Sequence, residues 1–381
     1  MVEYTFRKPP QRLLQGEAFM LDKLAQVCRA FRIADDLISY EELKAGNINR
    51  TYKVNTLKPD GSPKSYIVQE VNTYVFKNPV WVMENIDHVT EHIRAKKLEK
   101  VALHFHHTAE GKTYVFDENG FWRLFNYIES DTFNTTTDLE IIRNAGEAFG
   151  EFQMQLADFD AAELFETIPD FHDTRKRYEK LEEDVLEDPC GMVAGVKAEL
   201  DWLMSVKDRA CRLTDLFADG NLPLRVTHND TKINNVLFDK KDKSALVVID
   251  LDTVMPGLVG NDFGDAIRFA ANFVDEDCPE CEKAGVNLEV FEAFADGFLK
   301  CTAKTLTEEE IRTLPLSCFA LAAELATRFL DDYIQGSPYF KTDYPEHNLV
   351  RTRCQIALAK DMLAKMDEME RIVAECAKKY A

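Results

Sequence analysis

Apolar residues recur at helical spacing over 17–31, and strand-like alternation follows at about 36–44, 50–57 and 64–71. The turn Lys58-Pro-Asp-Gly-Ser-Pro63 separates the second and third of these segments, so an antiparallel hairpin region is predicted. Asn78-Pro79 opens a helix in which Val82, Ile86, Val89 and Ile93 form one apolar stripe, as in a helix lying on a sheet. Strands near 112–117 and 121–128 are joined by Asp117-Glu-Asn-Gly120. From about 138 the pattern is helical, with helices expected near 262–273, 286–304, 307–334 and 346–378 and a β island in between. The predicted fold class is α+β. A small lobe, 1–128, has an antiparallel sheet and one packed helix; a large lobe, 129–381, is helix-rich, with the boundary along Phe125-Asn-Tyr-Ile-Glu129.

Composition narrows the function. The 381 residues, 45% hydrophobic and 10% aromatic, suffice for full cores. A formal charge of -21 repels phosphate backbones and anionic lipid, so neither nucleic acid nor membrane is an expected partner. No apolar run approaches the ~18 residues of a spanning helix, and the amino terminus lacks the apolar centre of a secretory signal. A cytoplasmic protein is expected, with a monomer favoured. Nine scattered cysteines suit reduced thiols. Cys278-Pro-Glu-Cys281 has no second pair to complete a zinc site, and His104, His106 and His107 are expected in a solvated loop.

The chemistry concentrates in Val226-Thr-His-Asn-Asp-Thr-Lys-Ile-Asn-Asn-Val-Leu-Phe238 and the apolar run Ala245-Leu-Val-Val-Ile-Asp250. His228, Asp230 and Asn235 keep the spacing of a kinase catalytic loop, in which the Asp accepts the substrate hydroxyl's proton and the Asn holds magnesium. Asp250 supplies a second metal ligand at the end of a strand. Lys232 lies within reach of a transferring phosphoryl group. Asp252 is expected on the same side of an extended strand as Asp250, either as a further ligand or as an acceptor. The triplet Asp262-Phe-Gly264 does not follow an apolar strand, so Asp262 is assigned as a helix cap, with Asp265 in the first turn.

For a nucleotide, Gly46, Asn47, Ile48 and Asn49 lie between two predicted strands and form a candidate phosphate cover. No Walker-type loop is present. The third strand carries Gln69 where protein kinases place a lysine against the α and β phosphates. Asn126, Tyr127 and Ile128, in the connector, are expected to offer backbone groups to adenine.

These motifs resemble the aminoglycoside and choline kinase superfamily, and within it the N-acetylhexosamine 1-kinases. The matching blocks are Arg225 to Asn235, Ile249 to Gly257, Asp262 to Phe269, Tyr344 to Arg353 and Tyr66-Ile-Val-Gln69. The resemblance implies a two-lobed kinase-like fold and ATP with Mg2+, transferring phosphate to the anomeric hydroxyl of N-acetylglucosamine or N-acetylgalactosamine. It implies Asp230 as base, Asn235 and Asp250 as metal ligands, and Thr253, Phe269, Arg328 and Tyr339 facing the sugar. The plain alternative is that Arg328 ion-pairs on its helix and Tyr339 packs beside Phe340. Two other readings stay open. One is a kinase of a cationic small molecule (choline, ethanolamine or an aminoglycoside), which the acidic composition permits; the other is a nucleotide-binding pseudokinase, motivated by Gln69.

Overall fold

The computed structural model describes residues 11–43, 48–97, 103–118 and 120–381. The chain divides into two compact units, one of Met1–Arg94 with Ala102–Ile128, the other of Ala95–Val101 with Glu129–Ala381.

The first unit contains α1 (Gln11–Ala30), β1 (Asp36–Leu43), β2 (Arg50–Leu57), β3 (Pro63–Val71), α2 (Pro79–Ala95), β4 (Val115–Asp117) and β5 (Gly120–Asn126). The strands form one sheet in the order β1-β2-β3-β5-β4, with every pair antiparallel. Period-two alternation sends Tyr52, Val54, Tyr66, Val68, Trp122 and Leu124 to one face, where they pack with Leu24, Val27 and Cys28 of α1 and with Phe31 just after it. The intervening residues Thr51, Gln69 and Arg123 lie on the opposite face as directly paired cross-strand neighbours. The stripe predicted for α2 is present, with Val82, Ile86 and Val89 buried.

Two expectations for this unit need correction. The strand expected from 112 begins at 115, because Thr108 to Lys112 close a turn through Thr108 N to Lys112 O and Gly111 N to Thr108 O. The three histidines are also half-buried rather than fully solvated. His106 bonds Asn126 and packs edge-on to Tyr66, while burial pulls His104 down to a pKa of about 4, so it is neutral at physiological pH.

The second unit contains α3 (Leu139–Gln155), α4 (Thr174–Glu187), α5 (Lys197–Ala210), α6 (Arg212–Ala218), β6 (Arg225–Thr227), β7 (Val236–Phe238), β8 (Ala245–Val248), β9 (Met255–Gly257), α7 (Val259–Ala270), α8 (Leu288–Thr302), α9 (Glu308–Ile334), α10 (His347–Ala364) and α11 (Met366–Tyr380). Helices α3 and α8 pack with their backbones in near contact. A Cβ on Gly297 would lie 2.0 Å from Arg143 O, and one on Gly146 would lie 2.3 Å from Phe294 O, so only glycine permits this approach.

Helix α9 begins with a capping box, Thr307 with Glu310, and Glu310 also forms an ion pair with Arg225, tying β6 to the start of α9. α9 is long and apolar enough on average to pass for a membrane span, but 89% of its apolar window is buried inside the protein, as in a core helix. It is the spine of this unit. The single helix expected over 346–378 is two helices. Lys365 leaves helical geometry between them, and its ammonium turns inward to Val286 O and Asp361.

Candidate active site

Two short antiparallel pairs, β6 with β9 and β7 with β8, frame the loop 228–235. Its rigidity starts with His228, which is fully buried between the ring edges of Phe149 and Phe152. His228 Nε2 donates to Ile249 O at 2.9 Å and Nδ1 accepts the Asp230 N–H at 3.3 Å, a pairing that selects the neutral tautomer. Ile249 N in turn donates to Asn235 O at 2.8 Å. Ile249 is thereby fixed to both ends of the loop, and Asp250 follows it directly in the chain.

Asp230 receives Asn235 Nδ2 on Oδ2 at 3.0 Å and Lys232 Nζ on Oδ1 at 2.9 Å. Because Asn235 spends its amide nitrogen on the Asp230 side chain and carbonyl, its amide oxygen is left for a cation. Burial would pull the Lys232 ammonium down, but Asp230 and Asp265 outweigh it and the net shift is upward, so Lys232 stays charged. Its ammonium lies 5.9 Å from the centre of the Phe269 ring.

Asp250 sits in the left-handed region, φ 60° and ψ 58°, as the first residue of the short turn 251–253. The extended-strand argument for Asp252 therefore fails: the strand ends at Val248 and the backbone reverses hand at Asp250. Asp250 is exposed, whereas Asp252 is buried. Asn229 is also left-handed, φ 62°. Two non-glycine residues in this conformation so close together are a form of strain that concentrates at functional sites.

Asp262 is not a helix cap. The cap of α7 is Leu258, and the Asp262 carboxylate, 2% exposed, accepts His228 N at 2.9 Å, Asn229 N at 2.7 Å and Gln153 Nε2 at 2.8 Å. Burial raises the pKa of this carboxyl on balance, against the downward pull of the N–H groups it accepts; because all three neighbours are donors, the arrangement favours the ionised form at neutral pH. Asp265, expected in the first turn, lies a turn further on. It accepts Thr231 N and pairs with buried Arg268, and that cation together with Lys232 overcomes the burial penalty and holds its pKa low. Phe263 is enclosed by Phe291, Phe294 and Phe298. A Cβ on Gly264 would lie 2.6 Å from Ser317 O on α9. The Asp-Phe-Gly triplet is thus a latch and a packing element for the loop that carries Asp230. Sequence reading missed Gln153 and Asp265 as supports; their signal is polar residues on otherwise apolar helix faces.

The four residues tied by resemblance to a sugar lie in this unit. Thr253 Oγ1 donates to His228 O at 2.6 Å, and Thr253 O accepts Asn229 Nδ2 at 2.9 Å. Arg328 does not ion-pair on its helix among the described residues. Its guanidinium lies between the rings of Phe171 and Phe340, 5.4 and 5.6 Å from their centres. Burial pulls its pKa down, Glu324 opposes this, and Arg177 and Arg268 add to it. Glu324 cannot close on Arg328 because its oxygens take Thr174 Oγ1 at 2.7 Å and His172 Nδ1 at 2.8 Å. Tyr339 is 70% exposed and edge-on to Phe340, so the packing alternative holds for the ring contact while its hydroxyl end stays accessible. Asp332 accepts Tyr339 N, Phe340 N and Asn348 Nδ2, fixing the loop that presents Tyr339.

In the first unit, Gln69 lies in the row with Thr51 and Arg123. Asn49 Oδ1 accepts Asn72 N, and Ile48 O accepts Asn72 Nδ2, which ties the segment before β2 to the end of β3. Gly46 and Asn47 lie outside the described residues. Asn126 remains in the β5 ladder opposite Tyr66, and Tyr127 N donates to Ser65 O, so that amide is not an adenine donor. Ile128 is the last residue of this unit.

Comparison with known proteins shows the fold and the family. Three solved structures share the fold along nearly their whole length. They are an aminoglycoside phosphotransferase from Alicyclobacillus acidocaldarius (TM-score 0.61, 13% identity, 92% of this chain and 96% of that one), a microcompartment-associated aminopropanol kinase (0.60, 16%, 90% and 98%) and a choline kinase from Streptococcus pneumoniae (0.52, 15%, 92% and 99%). The family model described as "Phosphotransferase enzyme family" matches residues 39–290, a span that includes the loop 228–235, Asp250 and the Asp262–Asp265 latch. The chain belongs to the phosphotransferase enzyme family.

Proposed function

We propose that the protein transfers the γ-phosphate of ATP to the anomeric hydroxyl of an N-acetylhexosamine. Asp230 is the base. An anomeric hydroxyl is a hemiacetal and more acidic than an ordinary alcohol, so a carboxylate at hydrogen-bonding distance suffices to take its proton. Lys232, held charged at 2.9 Å from Asp230, offsets charge on the transferring group. Phosphoryl transfer asks the protein for position and charge more than for covalent chemistry, which suits a loop fixed from His228 to Asn235. The Asn235 amide oxygen and the Asp250 carboxylate are hard oxygen donors that would hold Mg2+, and the ion would supply positive charge to offset that of the phosphates. The small lobe, 1–128, holds the nucleotide and the large lobe, 129–381, the sugar.

The observation that carries the substrate class is Arg328. A kinase of choline, ethanolamine or an aminoglycoside seats an ammonium between aromatic rings or against acids. Here Phe171 and Phe340 already flank a guanidinium of the protein's own, and Arg177 and Arg268 lie within electrostatic range of it. A cationic substrate would be repelled. A neutral sugar would find N–H donors from Arg328, the Tyr339 hydroxyl, and apolar surface on Phe269, and the Thr253 hydroxyl oxygen still accepts.

Phosphorus NMR of the protein with ATP and Mg2+, in separate tubes with N-acetylglucosamine, N-acetylgalactosamine, galactose, choline and an aminoglycoside, tests this reading. A sugar 1-phosphate resonance is expected with the first two. Turnover only with choline or the aminoglycoside overturns the substrate class, and ATP unchanged in every tube overturns catalysis and favours a pseudokinase.

A further inference from the structure

We infer that Arg123, through Gln69 and Thr51, takes the place of the strand lysine that protein kinases use to hold nucleotide phosphates; this rests on the nucleotide half of the proposed function. Thr51, Gln69 and Arg123 are direct cross-strand partners on β2, β3 and β5. Arg123 Nε donates to Gln69 Oε1 at 2.8 Å, and Gln69 Nε2 donates to Thr51 Oγ1 at 3.0 Å. The order of donors has one direction. The guanidinium fixes which end of the Gln69 amide is oxygen, the amide nitrogen then occupies a lone pair of Thr51, and the Thr51 hydroxyl hydrogen has no acceptor among the described residues.

The row ends in a polarised O–H whose charge source is a cation only 2% exposed. Hydrogen bonds in such chains strengthen one another in a low-dielectric setting. An acceptor bearing negative charge is the partner this donor suits, and a nucleotide phosphate oxygen supplies it. Arg123 is held where it is by Phe105, 5.7 Å from guanidinium to ring centre, and by Met83 Sδ at 3.8 Å.

The same row explains glutamine at 69. Directly paired cross-strand residues have Cβ atoms only ~5 Å apart, and like charges there repel. With arginine at 123, a lysine at 69 would face a cation on its paired neighbour. The positive charge has moved one strand over, and glutamine transmits it. Thr51 is the phosphate contact, and Gln69 and Arg123 are positioning residues.

Calorimetric titration of the whole protein with ATP and with adenosine tests the inference. Thr51→Val, which keeps shape and fold, should weaken ATP binding about 10- to 100-fold, the worth of a hydrogen bond to a charged group, with adenosine unchanged within about twofold. Arg123→Met should do the same, and Gln69→Lys combined with Arg123→Met should restore ATP binding by returning the charge to β3. ATP binding by Thr51→Val within about threefold of the wild type, or equal loss of ATP and adenosine, overturns the relay. A wild-type protein that binds adenosine as tightly as ATP overturns the nucleotide reading along with it.

Discussion

Replacing Asp262 by Asn separates two roles that an Asp-Phe-Gly triplet suggests, metal ligand and structural latch. The side chain accepts three N–H donors while 2% exposed. Asparagine keeps one oxygen and turns the other into an NH2 group. Whichever way the amide is oriented, at least one donor, either Asn229 N or the pair His228 N and Gln153 Nε2, then faces another donor. An unsatisfied buried N–H costs about 1–3 kcal/mol, and the remaining bonds fall from charge-assisted to neutral strength, losing about 1 kcal/mol each. Against this, the variant no longer buries a charge. The net expectation is a loss of about 3 kcal/mol at pH 7. For a unit of this size that lowers Tm by roughly 6–12 °C in a thermal melt. Turnover should fall because the backbone of residues 228 and 229 positions Asp230, while the Mg2+ concentration at half-maximal rate stays unchanged. Asp250→Asn should show the converse, an unchanged melt with a raised Mg2+ requirement. An unshifted Tm with a raised Mg2+ requirement in Asp262→Asn would refute the latch.

Four further outcomes are expected. Asp230→Asn should cut turnover by about 10²- to 10⁴-fold with ATP affinity retained; turnover within tenfold of wild type rules out Asp230 as base. Arg328→Met removes a half-buried cation that has no ion-pair partner among the described residues, so it should raise stability by about 1 kcal/mol in chemical denaturation while increasing KM for the sugar at least tenfold, as at sites where function opposes stability. Gly264→Ala places a Cβ 2.6 Å from the Ser317 carbonyl oxygen and 2.8 Å from its carbon, neither able to yield without moving α9, and should destabilise by about 1–3 kcal/mol. Asp331 is pushed up to about 7 by burial and by hydrogen bonding to Asp184. A carboxyl raised in the folded state contributes stability that is complete below the unfolded value and lost as pH rises through the folded one. The wild type should therefore lose stability between about pH 4 and 7 relative to Asp331→Asn, and parallel stability curves for the two would exclude this.

Much of the fold was legible because its signals are local. The stripe on α2 and the alternation of β1 to β3 each arise within a few residues, and the spacing of His228, Asp230 and Asn235 is set by one short loop. The misreadings fall where distant segments decide. Helix 346–378 was predicted continuous because its apolar pattern continues, yet Lys365 turns inward to a carbonyl seventy-nine residues away. Asp252 was placed by strand geometry that Asp250 ends by adopting positive φ, a conformation the packing imposes. Asp262 carries the sequence signature of a cap and becomes a latch because β6 delivers two backbone N–H groups to it. The histidines 104, 106 and 107 read as polar, and only tertiary contacts, such as those of His106 with Asn126 and Tyr66 and of His107 with Asp87, half-bury them.

Sequence alone determined the alternation of the sheet, the order of the elements and which residues are candidates for the chemistry, since periodicity and motif spacing are properties of the chain. The tertiary structure alone decided which polar side chains are supports and which are free to act. The pairing of Arg123 with Gln69 and the closure of Glu324 onto His172 and Thr174, which keeps Glu324 from Arg328, depend on which donor meets which acceptor across fifty to one hundred and fifty residues of chain. Burial makes those pairings obligatory, and no local pattern encodes them.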